Sequence, residues 1–597
     1  MEDRPLSRLE RRSERHRRPR LGHWIVLLYL PLAIVSNWTA WLRGPTHTLT
    51  GGFGGDQGQE IWFLGIIAHQ LAHFHNPFFT DVVNLPVGVN LANVTSMPVL
   101  GVLGAPLTWL WGPIFTYNVF TVLSPLTAAL ALYWVAGRWV QRRSARFVAG
   151  LLYGFSPYLI AQLWGHLFLT MIFVFPIMVL ALYEMLVRQQ WPPWRSGGLL
   201  ALCLAVQVGI APELLLDACI IAVVPVLMLV VRLTRRPLAT TIYAAKATGI
   251  AVVAATVPLG LFVTNFLYGE GHITGAYRST EAVANLKIDG LAFLLPGSLQ
   301  KFGFGVANTI DSLISFHSNI DHADPFESGG FIGIPLVVLM LIFLPLVLKR
   351  RAVWVLGAGA LVSVSVAMGA EPTLNGAALG IQGPFSQLRQ LPLLESSIAS
   401  RWSLFMWLFL ALLIAIMVDR AITYFATKPK SLGRSQQLLA VLGLAALAVV
   451  TLLPRWPMPQ AEQAMPQWFS SPAAKALTAE SVVVTSPLAV NGRPLAMMWQ
   501  ALTGFNFTLA HGSAGPQSTT ASALKTIVGQ CDVANAPDEP NLAQLEMARA
   551  DLRQLGVTTL IATQYSANPT CANHVFGSLT GRNGVDEGDI RIWRLTP

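Results

Sequence analysis

Asp56 stands in a glycine-rich stretch, GGFGGDQGQE, just beyond the first long apolar run of the chain. A carboxylate in that place has the chemistry of a general base. Within reach of a hydroxyl, it takes the proton as the oxygen attacks a neighbouring carbon. The glycines ahead of it end the preceding structure and let backbone approach a ligand closely. Gln57 and Glu60 follow, opening a helical run that continues IWFLGIIAHQLAHFH, and they join Asp56 as candidate site residues. The plainer reading of Asp56 is a helix cap, since acids at a helix start meet free N–H groups and a favourable dipole. The run reads as an amphipathic helix lying along a membrane surface. It passes into a Pro/Asn/Gly-rich turn, NPFFTDVVNLPVGVN, which carries a further candidate, Asp81.

Other groups have fitting chemistry further along. His166 in LWGHLF and Glu213 in APELLL fall at the ends of apolar runs. Ionisable residues at membrane depth are functional candidates, against the alternative of ordinary wetting at a helix end. Arg401 in IASRWSL has a planar fork suited to phosphate, or it snorkels to the head groups. Arg278 is a second cation of the same use. It shares its segment with Asp289, Asp311, His317 and the cluster DHADPFE, which ends in Glu327. Those oxygen ligands suit a divalent cation (Mg2+, Mn2+ or Ca2+), although no EF-hand spacing is present, and no residue is assigned as a metal ligand. His69 and His73 share a helix face at i, i+4, a spacing that holds a metal in some proteins. Without an inner Glu, the pair reads better as head-group-level histidines. There is no Walker loop, no GxGxxG in a strand–helix context and no GxSxG, so nucleotide hydrolysis, nicotinamide binding and the α/β-hydrolase triad have no support.

Long apolar helices must position these groups. Of 597 residues, 53% are hydrophobic and only 12% charged, too few charges to coat a soluble protein of this size. A spanning helix needs about 20 apolar residues. About eleven runs qualify, near 24–42, 115–137, 147–164, 166–187, 197–211, 214–231, 240–264, 331–348, 352–369, 403–423 and 436–453. With the N-terminus in the cytoplasm, every inner loop is basic: Arg138 to Arg146, Arg188 and Arg195, Arg232 to Arg236, Lys349 to Arg351, and Arg420 to Arg434. That pattern meets the positive-inside rule, so the net charge of +10 orients the protein rather than binding nucleic acid. Residues 98–111 are apolar but short; counting them as a span would invert every later loop, so they read as re-entrant or interfacial. Residues 1–23 form a basic tail, with eight Arg against four acids in the first twenty residues. The tail suits anionic lipid head groups better than a secretory signal.

The layout divides into that tail, a transmembrane part over 24–453 with outer loops 43–97, 265–330 and 370–402, and a polar segment over 454–597. The polar segment opens with PRWPMPQ and mixes β-type runs (SVVVTSP, VTTLIAT, DIRIWRL) with a helical stretch, NLAQLEMARADLRQLG. It predicts a small extracytoplasmic α/β domain. Outside the cytoplasm, Cys531 and Cys571 are free to pair, whereas Cys203 and Cys219 lie in apolar runs.

Asp56 in the first outer loop, the helix after it and the NPFFTDVVNLPVGVN turn together resemble the GT-C fold of bacterial membrane glycosyltransferases. The FESGGFIGIP block and the LPLLESSIASRW entry to the tenth helix carry the same resemblance, which covers roughly 24–453 in layout. It implies a polytopic α-helical membrane protein of the plasma (inner) membrane. It also implies a polyprenyl-phosphate-linked sugar as donor and a glycan, lipid or protein of the cell envelope as acceptor. Asp56 would then be the base of an inverting transfer, Arg401 or Arg278 would meet the departing phosphate, and His166 and Glu213 would orient sugar hydroxyls. The family commonly has a second full span soon after its first loop, where the charge count instead places 98–111 as re-entrant. Two other classes stay open. A lipid or polysaccharide transporter predicts a continuous polar path through the helices, and a non-enzymatic scaffold that binds glycan predicts indifference to loss of Asp56, Glu213 and Arg401 together.

Overall fold

The computed structural model describes residues 23–50, 56–235, 237–273, 283–301, 327, 329–391, 393–427, 432–456, 458, 460–462, 465–478, 480–488, 494–513, 522–533 and 542–595. The basic tail to residue 22, the glycines before Asp56, Arg278 and the DHADPFE cluster up to Phe326 lie outside the described residues.

Among the described residues, seven helices are long and apolar enough to cross a bilayer: Trp24–Arg43, Pro113–Ala136, Leu167–Arg188, Pro212–Leu233, Leu238–Tyr268, Ala399–Thr427 and Ser435–Leu452. Three shorter apolar helices, Pro98–Trp111, Ile334–Leu346 and Arg351–Ala367, accompany them. The chain is a membrane protein, mostly helical. The Ala399–Thr427 helix sits at the centre, with 94% of its apolar window buried, while Ser435–Leu452 lies at the rim with 6% buried.

The expected single helix over 147–164 is two helices, Arg143–Gly154 and Pro157–Gln162. Pro157 causes the break. It lacks the N–H that would continue the ladder and disfavours helical backbone in the residue before it. Ser156 accordingly has ψ 152° and caps the second helix by accepting from the Leu159 N–H. The debated 98–111 segment is a helix of 14 residues, Pro98–Trp111, about 21 Å long at the usual rise. Gly112, at φ +86°, turns it straight into Pro113–Ala136.

The helix after Asp56, Gln57–His73, is not amphipathic and does not lie on a membrane surface as expected. Twelve consecutive residues, Gln57 to Ala68, are buried. An all-round apolar helix is a core helix, and here the C-terminal segment supplies the missing cover. Trp62 donates from Nε1 to Gln500 Oε1 at 2.7 Å, and Gln500 in turn donates to the carbonyls of Val82 and Phe507. On another side, a Cβ on Gly101 would overlap Ile67, so only glycine lets the Pro98–Trp111 helix approach this closely.

The C-terminal segment forms a mixed five-stranded sheet. Thr559–Thr563 is its central strand, parallel to Val482–Ser486 and antiparallel to Ile590–Arg594; Thr508–Leu509 adds parallel to Val482–Ser486 at one edge, and Val585–Glu587 adds antiparallel to Ile590–Arg594 at the other. Helices Ala523–Gln530, Leu542–Gln554 and Pro569–Thr580 bury one face through Ile527, Leu545 and Phe576. Ile561 and Ile592 of the sheet join Trp499 and Phe505 in the same core as the membrane helices. Thr48–Thr50 pairs with Gln460–Glu462, tying the chain ahead of Asp56 to the linker after the last helix. Cys531 and Cys571 are joined as a disulfide.

Small residues set the helix spacing, as in other membrane bundles. Pro193–Val208 crosses Leu238–Tyr268 at Gly197, where a Cβ would overlap the Ala247 carbonyl; the adjacent Gly198 has nothing within 4 Å of that position. Gly197→Leu should therefore cost about 1–3 kcal/mol by overpacking and lower the melting temperature in detergent. Gly198→Ala should leave it unchanged or raise it slightly.

Candidate functional site

Asp56 takes the N-cap position of its helix, and its backbone carbonyl accepts from the Glu60 N–H at 2.9 Å. Its side chain caps nothing. The plain capping role therefore does not account for the carboxylate, which is 40% exposed. His166 approaches it from a buried position, with Nε2 3.9 Å from Oδ2, while the other ring nitrogen lies 2.8 Å from Gln162 Oε1. Gln162 thus holds the ring with Nε2 towards Asp56. Gln57 is buried beside them and donates to the Trp164 carbonyl at 3.1 Å.

Glu60 lies one turn below Asp56 and is almost wholly buried. Burial pushes its carboxyl well above the ordinary range. The Asp56 charge adds to this, and the Leu167 and Phe168 N–H groups and the Tyr117 hydroxyl offset it in part. Burial thus favours the protonated form of Glu60 beneath Asp56.

A second group begins within electrostatic reach of His166. Arg401, 2% exposed, donates from Nε and Nη2 to Glu327 Oε1 at 3.0 and 2.9 Å, and from Nη1 to Glu213 Oε2 at 2.8 Å. It does not snorkel. Ser400 donates to the other Glu327 oxygen at 2.7 Å. Asp217, one turn after Glu213, is fully buried and accepts from Ser397 at 3.4 Å. Three acids thus surround one arginine. The phosphate role read for Arg401 would require these bonds to open, because its fork is already spent on carboxylates. Burial alone would raise the Glu327 carboxyl; Arg401, then His166 and the bonds from Arg401 and Ser400, more than offset it and hold it at about 2.

The sequence candidates thus separate. Asp56, Gln57, Glu60 and His166 come together, and Glu213 and Arg401 meet in the adjoining group. Asp81 is exposed on its turn and hydrogen-bonds to none of them. Arg278 lies outside the described residues. Asp217 and Tyr117 were not singled out from sequence. The i, i+4 pair in PELLLD was the available signal for Asp217, while Tyr117 sits in an apolar run and offered none. Glu327 was legible only as part of a cation cluster, yet here it is an ion-pair partner. Among the described residues, no three His, Cys, Asp or Glu side chains are grouped to hold a metal. His69, His73 and His75 are neighbours, and burial followed by the charges of the other two lowers His69 to about 4.

Among solved structures, the arabinofuranosyltransferase AftD from Mycobacteria matches over 97% of this chain and 40% of its own, with a TM-score of 0.53 and 15% identity. The chain therefore spans about two fifths of that protein's length. The archaeal oligosaccharyltransferase AglB from Archaeoglobus fulgidus, solved with an inhibitory peptide and a dolichol-phosphate, matches over 91% of this chain and 69% of its own (TM-score 0.40, 12% identity). ArnT from Cupriavidus metallidurans, bound to undecaprenyl phosphate, matches over 96% and 98% (TM-score 0.38, 10% identity). No family model matches the chain, and no curated protein does. The AftD match is a likeness of fold.

Glu327 has its ordinary value of 4.5 when unfolded and about 2 when folded. A depressed acid stabilises above its unfolded value and loses that contribution as pH falls through its folded value. Glu327→Gln should lower the melting temperature at pH 7, the loss of one partner of a buried pair costing about 3–5 kcal/mol. The gap from wild type should narrow between pH 4.5 and 2 in thermal scans; a gap constant with pH would show that Glu327 is not ionised in the folded protein.

Proposed function

We propose that this GT-C-folded chain is an inverting glycosyltransferase that uses a polyprenyl-phosphate-linked sugar as donor. The observation that carries the reading is the Asp56 carboxylate, which heads a buried helix, caps nothing, stands 40% open to solvent and is backed by a buried histidine. The acceptor hydroxyl oxygen forms the new bond to the anomeric carbon, and Asp56 takes its proton. The bond from that carbon to the phosphate oxygen breaks on the opposite face, its electron pair leaves with polyprenyl phosphate, and the configuration inverts. His166 positions Asp56, and Glu60 serves as a neutral hydrogen-bond donor or packing group beneath it. Glu213, held by Arg401, faces sugar hydroxyls.

The transmembrane part and the C-terminal sheet then divide the work, with the lipid tail kept among helices and the acceptor, a glycan, lipid or protein of the envelope, met by the polar segment. The Cys531–Cys571 disulfide and the basic loops support a C-terminal segment outside the cytoplasm and an N-terminal tail inside it. Any divalent cation would have to draw on the acidic segment before Glu327.

Purified protein supplied with a panel of polyprenyl-phosphate sugars, arabinofuranose among them, provides the test. Asp56→Asn should lower turnover at least a hundredfold without changing the melting temperature. Glu60→Gln should stay within about tenfold of wild type, because the amide replaces an acid that burial holds towards its neutral form. Undiminished turnover by Asp56→Asn would remove Asp56 as the base. The reverse ranking of the two variants would move that role to Glu60.

A further inference from the structure

An apolar groove of about 870 Å3 runs between the helices Val174–Tyr183, Pro212–Leu233, Arg351–Ala367 and Ser403–Thr427. That volume lies within the about 300–1,000 Å3 of ordinary ligand pockets. One end touches Ala218 and Phe405, next to Asp217 and one turn from Arg401. The other reaches Arg232, Arg235 and Arg351. Along the helix axis, the distance from Ala218 to Arg235 is about 25 Å, most of the hydrocarbon depth of a bilayer. Water is a poor filling for an apolar channel at that depth, and a hydrocarbon chain is a good one.

Charge decides which way round such a molecule lies. At the Ala218 end, Glu213, Asp217 and Glu327 crowd one arginine, an unfavourable place for a phosphate. At the opposite end, the groove's lining offers three arginines and no carboxylate. Nearby Arg142 is paired with Asp419 at 3.2 Å, whereas the guanidinium groups of Arg235 and Arg351 make no ion pair among the described residues. Basic pockets between helices on the cytoplasmic side are the usual seats of anionic lipid head groups. We propose that the groove holds one anionic phospholipid, its phosphate on Arg232, Arg235 and Arg351 and an acyl chain running towards Ala218. The site is at the opposite end of the helices from Asp56, and it stands whether or not sugar transfer is the activity.

Lipid extracted from the purified protein and native mass spectrometry test this directly. Wild type should retain about one anionic phospholipid per chain. The triple variant Arg232→Gln, Arg235→Gln, Arg351→Gln should retain at least tenfold less, and so should Ala222→Trp, which fills the groove and keeps all three arginines. A measurement without variants is competition: delipidated wild type offered phosphatidylglycerol and phosphatidylcholine in equal amounts should keep the former in about tenfold excess. Equal retention would overturn the proposal. So would undiminished binding by Ala222→Trp, which would mean surface charge alone, or a polyprenyl phosphate as the retained lipid, which would make the groove part of the donor site.

Discussion

Arg401 is a positive charge with almost no water around it, and two carboxylates make that burial tolerable. Such an ion pays a desolvation cost of several kcal/mol unless paired with good geometry. Here Glu327 and Glu213 take three of its N–H directions, and the Phe168 ring lies 5.8 Å from the guanidinium carbon. The three partners come from far apart in the chain: the start of the Ser403–Thr427 helix, the start of Pro212–Leu233 and the segment before Ile334–Phe343. One ion cluster therefore fixes how three elements meet at one end of the bundle. It also leaves an excess of acid there, which disfavours a phosphate and favours neutral, hydroxyl-bearing groups.

His166 connects that cluster to Asp56. Its ring is held by Gln162, its Nε2 faces Asp56, and when protonated it helps lower the Glu327 carboxyl. The short helix Pro157–Gln162 that carries Gln162 exists because Pro157 breaks the longer helix expected there. The break places Gln162 and His166 on a compact turn at the end of the bundle. Beneath Asp56, the Gln57–His73 helix is rigid because it is buried all round, so the exposed carboxylate is mounted on a fixed base. Much of that cover comes from the C-terminal segment through Gln500 and Phe505. The sheet is thus part of the scaffold of the site as well as a neighbour to it.

Some of this was readable from composition and order alone. The apolar runs announce the membrane helices because a bilayer admits little else. The alternating runs SVVVTSP, VTTLIAT and DIRIWRL form strands at Val482–Ser486, Thr559–Thr563 and Ile590–Arg594. Asp56 stood out because glycines and a helix start surround it. The helix after Asp56 was misread as a surface helix, since its cover lies more than four hundred residues away at Trp499 and Gln500. Arg401 was read as open to phosphate because nothing local to it reveals Glu213 or Glu327.

The amino-acid sequence by itself determined that this chain lives in a membrane, which stretches supply its apolar helices, and that an acid follows the first of them. Those properties depend on local composition and on the bilayer's intolerance of unpaired backbone. Only the tertiary structure decided which charges neutralise one another, that Glu60 is buried while the Asp56 side chain stays open to solvent, and that an apolar groove ends on three arginines. Each of these depends on distance and burial between residues remote in the chain, and electrostatic free energy is set by such distances and by the water excluded around them.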